Sequence, residues 1–276
     1  GSPLNMLGMD FLVGAGINIT FVQWMLIGIP ISIVTLLIAW KVTMLVFKPA
    51  EIDPDRLDGY INGLQIPKKM SGRETYVLIV VLSLFTLWVL SSWFPVLNIT
   101  VVGIIGFAAL MIPKANIMSW KNYVNSVSWS SFFLIGTMMT LGSALSTNGV
   151  SDWLVATLFR NKINLPVFFV VALICLIVFV LLIPIPIGPA LISMLGAPFV
   201  GMAISWGYNP ALLIMPLVLC GSCCFLLPLD TVTLLTYSTG YYKMTDMPKA
   251  TIWIQLCMIP LIAAWVPISL KILGFM

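Results

Sequence analysis

The sequence contains no histidine and few charged residues, which make up 8% of its 276 residues, against about 25% in ordinary soluble domains. Without histidine, the chain lacks the commonest acid–base catalyst and the commonest metal ligand found in proteins. Hydrophobic residues make up 61% of the chain, and a water-soluble fold cannot bury so much apolar surface. The composition therefore indicates an integral membrane protein.

Other chemical signatures are missing as well. The net charge is only +4, and no basic stripe alternates with aromatic residues, so the sequence does not indicate a nucleic-acid partner. Cys220 and Cys223 have CxxC spacing, but no second pair completes a zinc site, and we expect neither a metal centre nor a cofactor. The chain has no HExxH, no GxSxG and no paired aspartates within an apolar run, so we do not predict an enzyme.

Long apolar runs dominate what remains. A helix needs about 20 mostly apolar residues to cross the hydrocarbon core of a bilayer. These runs do not alternate apolar and polar residues as barrel strands do, so we predict an all-α, multi-span helical bundle surrounded by membrane lipid. The expected spans are residues 24–47, 76–94, 130–159, 165–206 (two passes), 211–237 and 251–270, with a shorter candidate at residues 99–113.

The longest polar stretch is residues 48–74, which contains five basic residues. Lysine and arginine concentrate on the cytoplasmic side of membrane proteins, so we expect this segment to be a cytoplasmic linker with at most one short surface helix. The host membrane would be the plasma membrane or a bacterial inner membrane. The linker separates residues 1–47 from residues 75–276.

Three prolines interrupt the apolar run of residues 165–206, at Pro184, Pro186 and Pro189. Proline lacks a backbone donor and clashes with the preceding helical turn, so one continuous helix cannot pass through this point. We predict a re-entrant hairpin that turns here, with a helix starting at about Ala190. A plain turn between two full spans is the alternative.

A second interruption lies at residues 227–233, where Pro228 precedes Asp230 inside the apolar run of residues 211–237. An ionisable side chain at the centre of a span costs about 2.5–3.5 kcal/mol, so Asp230 is a candidate for a functional residue. With its hydroxyl neighbours it could ligate a cation. The alternatives are a cap for a helix that begins at Thr231, or a structural ion pair.

Three motifs resemble those of the divalent-anion/sodium symporter (DASS) family, and the resemblance covers nearly the whole chain. The first motif is Ser222-Cys223-Cys224-Phe225-Leu226-Leu227-Pro228 with Asp230-Thr231, which resembles the family pattern S-C-A-F-x-L-P-x-A-T-P-P-N. The second is Thr239-Gly240-Tyr241-Tyr242-Lys243-Met244-Thr245-Asp246-Met247, which resembles G-x-G-x-x-K-x-x-D-M. The third is Gly1-Ser2-Pro3-Leu4-Asn5, which resembles the unwound loop G-[ST]-P-P-N. The stretch from Trp129 to Gly136 is similar to the entry of a family span.

The resemblance implies a fold of two inverted repeats, each with a re-entrant hairpin and a broken helix, meeting at a midplane site. Residues 1–47 would be the end of the first repeat, and residues 75–276 the second, with its hairpin at about 165–206 and its broken helix at 211–237. The chain would then be the C-terminal portion of a homodimeric transporter, without most of its first repeat.

The resemblance also implies the site residues. Substrate would be bound by Ser2, Pro3, Asn5, Gly188, Pro189, Thr231, Val232 and Thr233, and the coupling cation by Gly1, Ser222, Asp230 and Thr231. The chain departs from the family at the hairpin tip, where residues 187–189 have no polar side chain in place of Ser-Asn-Thr. It departs again at the second loop, where an aspartate enters and an asparagine is lost.

We therefore predict ion-coupled secondary transport of a small anion, either a di- or tricarboxylate or an inorganic divalent anion, with sodium or a proton as the coupling ion. An ionised Asp230 would repel a dianion, so a cation or proton would have to bind first. Otherwise the solute is neutral or cationic, with proton coupling through Asp230. A further alternative is a non-transporting fragment or an assembly partner of a membrane complex.

Overall fold

A computed structural model describes residues 3–48, 54–63, 69–112, 117, 119–127, 129–150, 153, 156–157, 165–229 and 231–276. Within these ranges every regular element is a helix, which confirms the predicted all-α fold. The helices are α1 (Pro3–Gly14), α2 (Phe21–Val46), α3 (Pro54–Gly63), α4 (Gly72–Leu90), α5 (Ile99–Leu110), α6 (Trp120–Ser126), α7 (Trp129–Thr147), α8 (Val167–Leu181), α9 (Gly188–Trp206), α10 (Ala211–Gly221), α11 (Thr231–Tyr237) and α12 (Asp246–Ile272).

Four of the described helices, α2, α4, α9 and α12, are long and apolar enough to cross a membrane. Four more, α1, α5, α8 and α10, are apolar but shorter. The predicted run of residues 165–206 is divided into α8 and α9, and the run of residues 211–237 into α10 and α11. The first division contains Pro184 and Pro186, and the second contains Pro228, each of which lacks the backbone donor of a helical hydrogen bond. Other prolines, such as Pro198 in α9 and Pro216 in α10, lie within the helices.

The chain forms two compact units. The larger consists of Gly1–Ile19, Gln23–Val46 and Trp129–Met276, and the smaller of Thr20–Val22 and Phe47–Ser128. We also predicted a division into the end of one repeat, a linker and a second repeat. Repeats are defined by common ancestry and not by compactness, so that division stays a prediction.

In the smaller unit, α4 and α5 pack together along their length. The indole of Trp88 donates to the Ile99 carbonyl oxygen at 3.1 Å, and the hydroxyl of Tyr76 donates to the Ala109 carbonyl oxygen at 2.8 Å. These bonds tie both ends of α4 to both ends of α5. They also pair the polar atom of each aromatic side chain, which would otherwise face lipid without a partner.

The core of the larger unit surrounds α10, whose residues 211–218 are all buried. This helix is apolar around its whole circumference, as a helix enclosed by others must be. It contacts α1, α8, α9 and α12. Glycines permit the closest approaches, since the side chain of Val218 occupies the space beside Gly8, and that of Phe11 the space beside Gly196. As a result, α1 lies directly against α9 and α10.

Candidate functional site

The run of residues 211–237 is interrupted between Gly221, the last residue of α10, and Thr231, the first of α11. We call residues 222–229 the break loop. Its backbone forms short-range turns, such as the bond from the Cys223 amide to the Cys220 carbonyl oxygen at 2.9 Å. The sequence predicts the break at residues 227–233; in the structure the helix ends earlier, at Gly221, and resumes at Thr231. Pro228 lies within the break, whose start coincides with Gly221, a residue type that often ends helices.

The second interruption is the turn of residues 182–187, which we call the proline turn. It joins α8 to α9, and α9 begins at Gly188 with Pro189 in its first turn, where a missing amide donor costs nothing. Among the described contacts, α8 packs mainly against α12 and α10, while α9 packs mainly against α7, α10 and α1. That this turn is the tip of a re-entrant hairpin stays a prediction.

The two interruptions meet at a close backbone contact. A Cβ atom at Gly188 would overlap the carbonyl oxygen of Gly221 and would lie 3.2 Å from Cδ1 of Leu4. Thus the start of α9, the end of α10 and the first turn of α1 come together at one point. Each of these three segments adjoins residues that the sequence predicts to be in the site.

This contact predicts a large effect for a small change. Gly188→Ala should destabilise the protein by about 1–3 kcal/mol, since the added methyl group meets rigid backbone rather than a side chain that can move. The measurement is the midpoint of thermal unfolding in detergent. Gly201→Ala is the matched control on the same helix, because a Cβ there meets nothing within 4 Å. Equal midpoints for the two variants would show that the contact is not tight.

A cavity of about 470 Å³ opens beside this contact, between α1, α2, α10, the break loop and α12. Two of the predicted site residues, Asn5 and Ser222, line it together. Its remaining lining consists of Ile31, Ser32, Thr35, Leu36, Ala39, Leu219, Cys223, Phe225, Thr251, Ile254 and Met258. The cavity is thus mainly apolar with a few polar groups, as sites for small molecules usually are.

The polar groups of the cavity are neutral, and no acidic or basic side chain is among its described lining residues. The hydroxyl of Ser222 donates to the Val218 carbonyl oxygen, and that of Thr251 to the Met247 carbonyl oxygen, both at 2.8 Å. Since each hydroxyl proton is already used within its own helix or turn, each oxygen keeps lone pairs that can face a cation. Asn5 can supply both an acceptor and two donors.

The other predicted site residues are less concentrated. Gly188 and Pro189 begin α9 at the close contact, Pro3 begins α1, and Thr231, Val232 and Thr233 form the first turn of α11. Gly1, Ser2 and Asp230 lie outside the described residues. The structure therefore joins Asn5 and Ser222 in one cavity, and the binding roles of the whole set stay predictions.

The sequence did not single out three polar residues of this cavity, Ser32, Thr35 and Thr251. Nor did it single out Gln255, which borders the break loop. Ser32 and Thr35 follow Pro30 at helical spacing, and Thr251 and Gln255 are four residues apart in an otherwise apolar stretch of α12. Polar residues that share one face of an apolar helix usually face protein rather than lipid. That spacing was the available signal.

The short helix α11 is held by Tyr242. Its hydroxyl donates to the Thr233 carbonyl oxygen at 3.4 Å and lies 2.7 Å from the hydroxyl oxygen of Thr236. The rings of Tyr237 and Tyr242 also pack edge to face, with centroids 5.8 Å apart. One side chain from the following loop therefore fixes a seven-residue helix that would be unstable alone.

Tyr242→Phe should loosen α11 while leaving the rest of the fold intact. Hydrogen exchange of the amides of residues 231–237 should accelerate about fivefold, the effect of losing a hydrogen bond of ordinary strength. Tyr241→Phe is the matched control, because Tyr241 is 90% exposed. Unchanged exchange in the Tyr242 variant would assign the order of α11 to other contacts.

Residues 2–274 match the family model described as the sodium:sulfate symporter transmembrane region. Over 94% of its length the chain is 27% identical to the sodium-dependent dicarboxylate transporter SdcS of Staphylococcus saprophyticus, and it covers 53% of that protein. Over 57% of its length it is 26% identical to the citrate/succinate antiporter of Escherichia coli K12, of which it covers 32%. The chain spans about half the length of the staphylococcal transporter that it matches.

A mammalian relative shows the same similarity over a shorter stretch. The chain is 28% identical to solute carrier family 13 member 1 of the mouse over 51% of its own length, and it covers 23% of that protein. The family match runs through the described helices and through both interruptions.

Proposed function

Since this chain belongs to the sodium:sulfate symporter family, we propose that it forms part of a multi-pass membrane transporter that moves a small anion together with a coupling ion. The resemblance seen in the sequence is thereby confirmed at the level of the family. Because the chain spans about half of its staphylococcal relative, its activity is a proposal about the protein in which it functions.

The observation that carries the proposal is the 470 Å³ cavity in which Asn5 and Ser222 meet. The third of the motifs that resemble the family, Gly1–Asn5, supplies Asn5, and the first motif, more than 200 residues away in the chain, supplies Ser222. Site residues drawn from distant segments and facing one cavity are expected when two broken helices share a binding site. The volume lies within the usual range for sites of small metabolites.

The neutral lining favours coupling to sodium. A dianion in a cavity without a basic side chain would have a large desolvation penalty unless cations entered with it. Hydroxyl, amide and backbone carbonyl oxygens are suitable ligands for a hard cation, and the Ser222 and Thr251 oxygens have their lone pairs available. We therefore propose that sodium binds with the anion and that the pair is the transported unit.

Among anions, we propose a di- or tricarboxylate in preference to an inorganic divalent anion. A four- to six-carbon acid fills more of the cavity, and its methylene groups match the apolar part of the lining. Two similar proteins are named for dicarboxylate transport and for citrate/succinate exchange. We further propose a homodimer in a plasma or inner membrane, with residues 48–74 on the cytoplasmic side.

The test is uptake by the purified protein in liposomes, with radiolabelled succinate, citrate and sulfate offered in turn. Sodium and pH gradients are varied separately. We expect accumulation of a carboxylate that follows the sodium gradient. Accumulation that follows pH alone would favour a proton through Asp230. No uptake of any anion, with sodium still binding, would favour a non-transporting fragment or an assembly partner.

A further inference from the structure

A buried polar side chain on α12 links the two interruptions. Gln255 is only 7% exposed, in a helix that is otherwise apolar at this level. Its Nε2 donates to the carbonyl oxygen of Cys223 in the break loop at 3.4 Å. The same side chain borders a narrow cleft, whose other walls are Leu182, Ile183 and Pro186 of the proline turn and Cys224, Leu226 and Leu227 of the break loop.

The cleft is too small for a substrate. Its volume of about 10 Å³ leaves room for roughly one water. The larger cavity lies on a neighbouring face of α12, where Thr251, Ile254 and Met258 line it. Gln255 therefore lies beside the binding cavity and holds a residue that lines it, since Cys223 is part of that lining.

From this arrangement we infer that Gln255 is a positioning residue that holds the break loop against α12 and thereby sets the affinity for the coupling ion and the anion. The effect of Gln255 on affinity rests on the proposed function, whereas its hold on the break loop does not depend on transport. The break loop has no helix or strand of its own between Ser222 and Leu229. A bond from a long, packed helix is thus one of the contacts that fix its conformation in the described structure.

The side-chain amide suits this role better than an apolar residue would. The Cys223 carbonyl oxygen also accepts the Phe225 amide at 2.9 Å, so Gln255 is a second donor that ties this turn of the loop to α12. A buried side-chain amide without a partner is costly, which favours keeping Gln255 against the loop. The alternative role, direct ligation of substrate, requires Gln255 to line the larger cavity, and it is absent from the described lining of that cavity.

The first experiment measures the loop directly. A small methanethiosulfonate reagent is applied to the purified protein, and the rate of modification of Cys223 is followed by mass spectrometry. Gln255→Met keeps the length of the side chain and removes the donor, so modification should accelerate by up to about fivefold. Gln255→Asn keeps the amide but shortens the side chain, and it should have the same effect, which separates loss of the bond from loss of polarity.

The matched control is Ser269→Ala on the same helix. Ser269 is also buried, at 4% exposure, but its hydroxyl donates to the Val266 carbonyl oxygen within α12. Modification of Cys223 should be unchanged in this variant. The inference is overturned if a Gln255 variant unfolds at the same temperature as the parent protein and its Cys223 reacts at the same rate as in the parent protein.

The second experiment measures transport in liposomes. The Gln255 variants should raise the KM for sodium by up to about fivefold and leave the maximal rate within about twofold, because the loop must be ordered before sodium binds. Raised substrate KM with unchanged Cys223 labelling would instead make Gln255 a ligand and refute the positioning role. If the unmodified protein transports nothing, the proposed function fails, while the labelling result still decides whether Gln255 holds the loop.

Discussion

Replacing Asn5 with leucine should lower kcat/KM for the anion about 10- to 100-fold, the largest effect that we expect from a described residue. Asn5 is the cavity residue that offers two donors, and a charged ligand left without a donor in a low-dielectric site costs about 1.5–3 kcal/mol. Leucine has a similar volume, so the helix should still pack. The measurement is initial uptake in liposomes at saturating sodium.

The control for Asn5 is its neighbour in the same helix. Met6 is 43% exposed and is not among the cavity residues, so Met6→Leu should transport like the unmodified protein. Both variants should unfold at nearly the same temperature. An Asn5→Leu protein with unchanged kcat/KM would mean that the cavity between α1 and the break loop is not the anion site.

Changing Asp230 to asparagine should uncouple transport from its driving ion. Asp230 lies outside the described residues, between the break loop and α11 in the sequence, so we base this expectation on the sequence. A carboxylate in an apolar run is costly unless it binds a proton or a cation, and the asparagine variant keeps the shape but cannot titrate. We expect gradient-driven accumulation to be lost while exchange of labelled for unlabelled anion continues.

Asp246 provides the comparison for Asp230. Its carboxylate lies 2.7 Å from the ammonium of Lys249 and accepts the Lys243 amide, so it ties the preceding turn to the first turn of α12. Asp246→Asn should reduce stability slightly and leave ion dependence unchanged. If the Asp230 variant instead accumulates anion fully, with the same sodium and pH dependence, then Asp230 is a helix cap and the coupling site lies elsewhere in the protein.

The sequence predicted the helical spans well, because hydropathy alone decides which segments enter a bilayer. It also located the two interruptions, where Pro184, Pro186 and Pro228 each lack a backbone donor. A proline alone does not decide a break, because five others lie in the interior of described helices: Pro30, Pro198, Pro216, Pro260 and Pro267. The sequence misplaced the start of the second interruption by about five residues. Helix α10 ends at Gly221, where the carbonyl lies against Gly188 of another helix, and the local sequence does not show which residue Gly221 contacts.

By itself, the sequence determined that the chain is a helical membrane protein of this family. Its first and third motifs made Ser222 and Asn5 candidate site residues. Only the tertiary structure decided that these two residues share a cavity with Ser32, Thr35 and Thr251, and that the Gln255 amide donates to the Cys223 carbonyl oxygen in the break loop. The physical reason is that a serine or threonine in a helix satisfies its hydroxyl locally, on a carbonyl three or four residues back, wherever it faces. Which side faces lipid and which faces a cavity depends on the neighbouring helices, and these are chosen by packing between segments far apart in the chain.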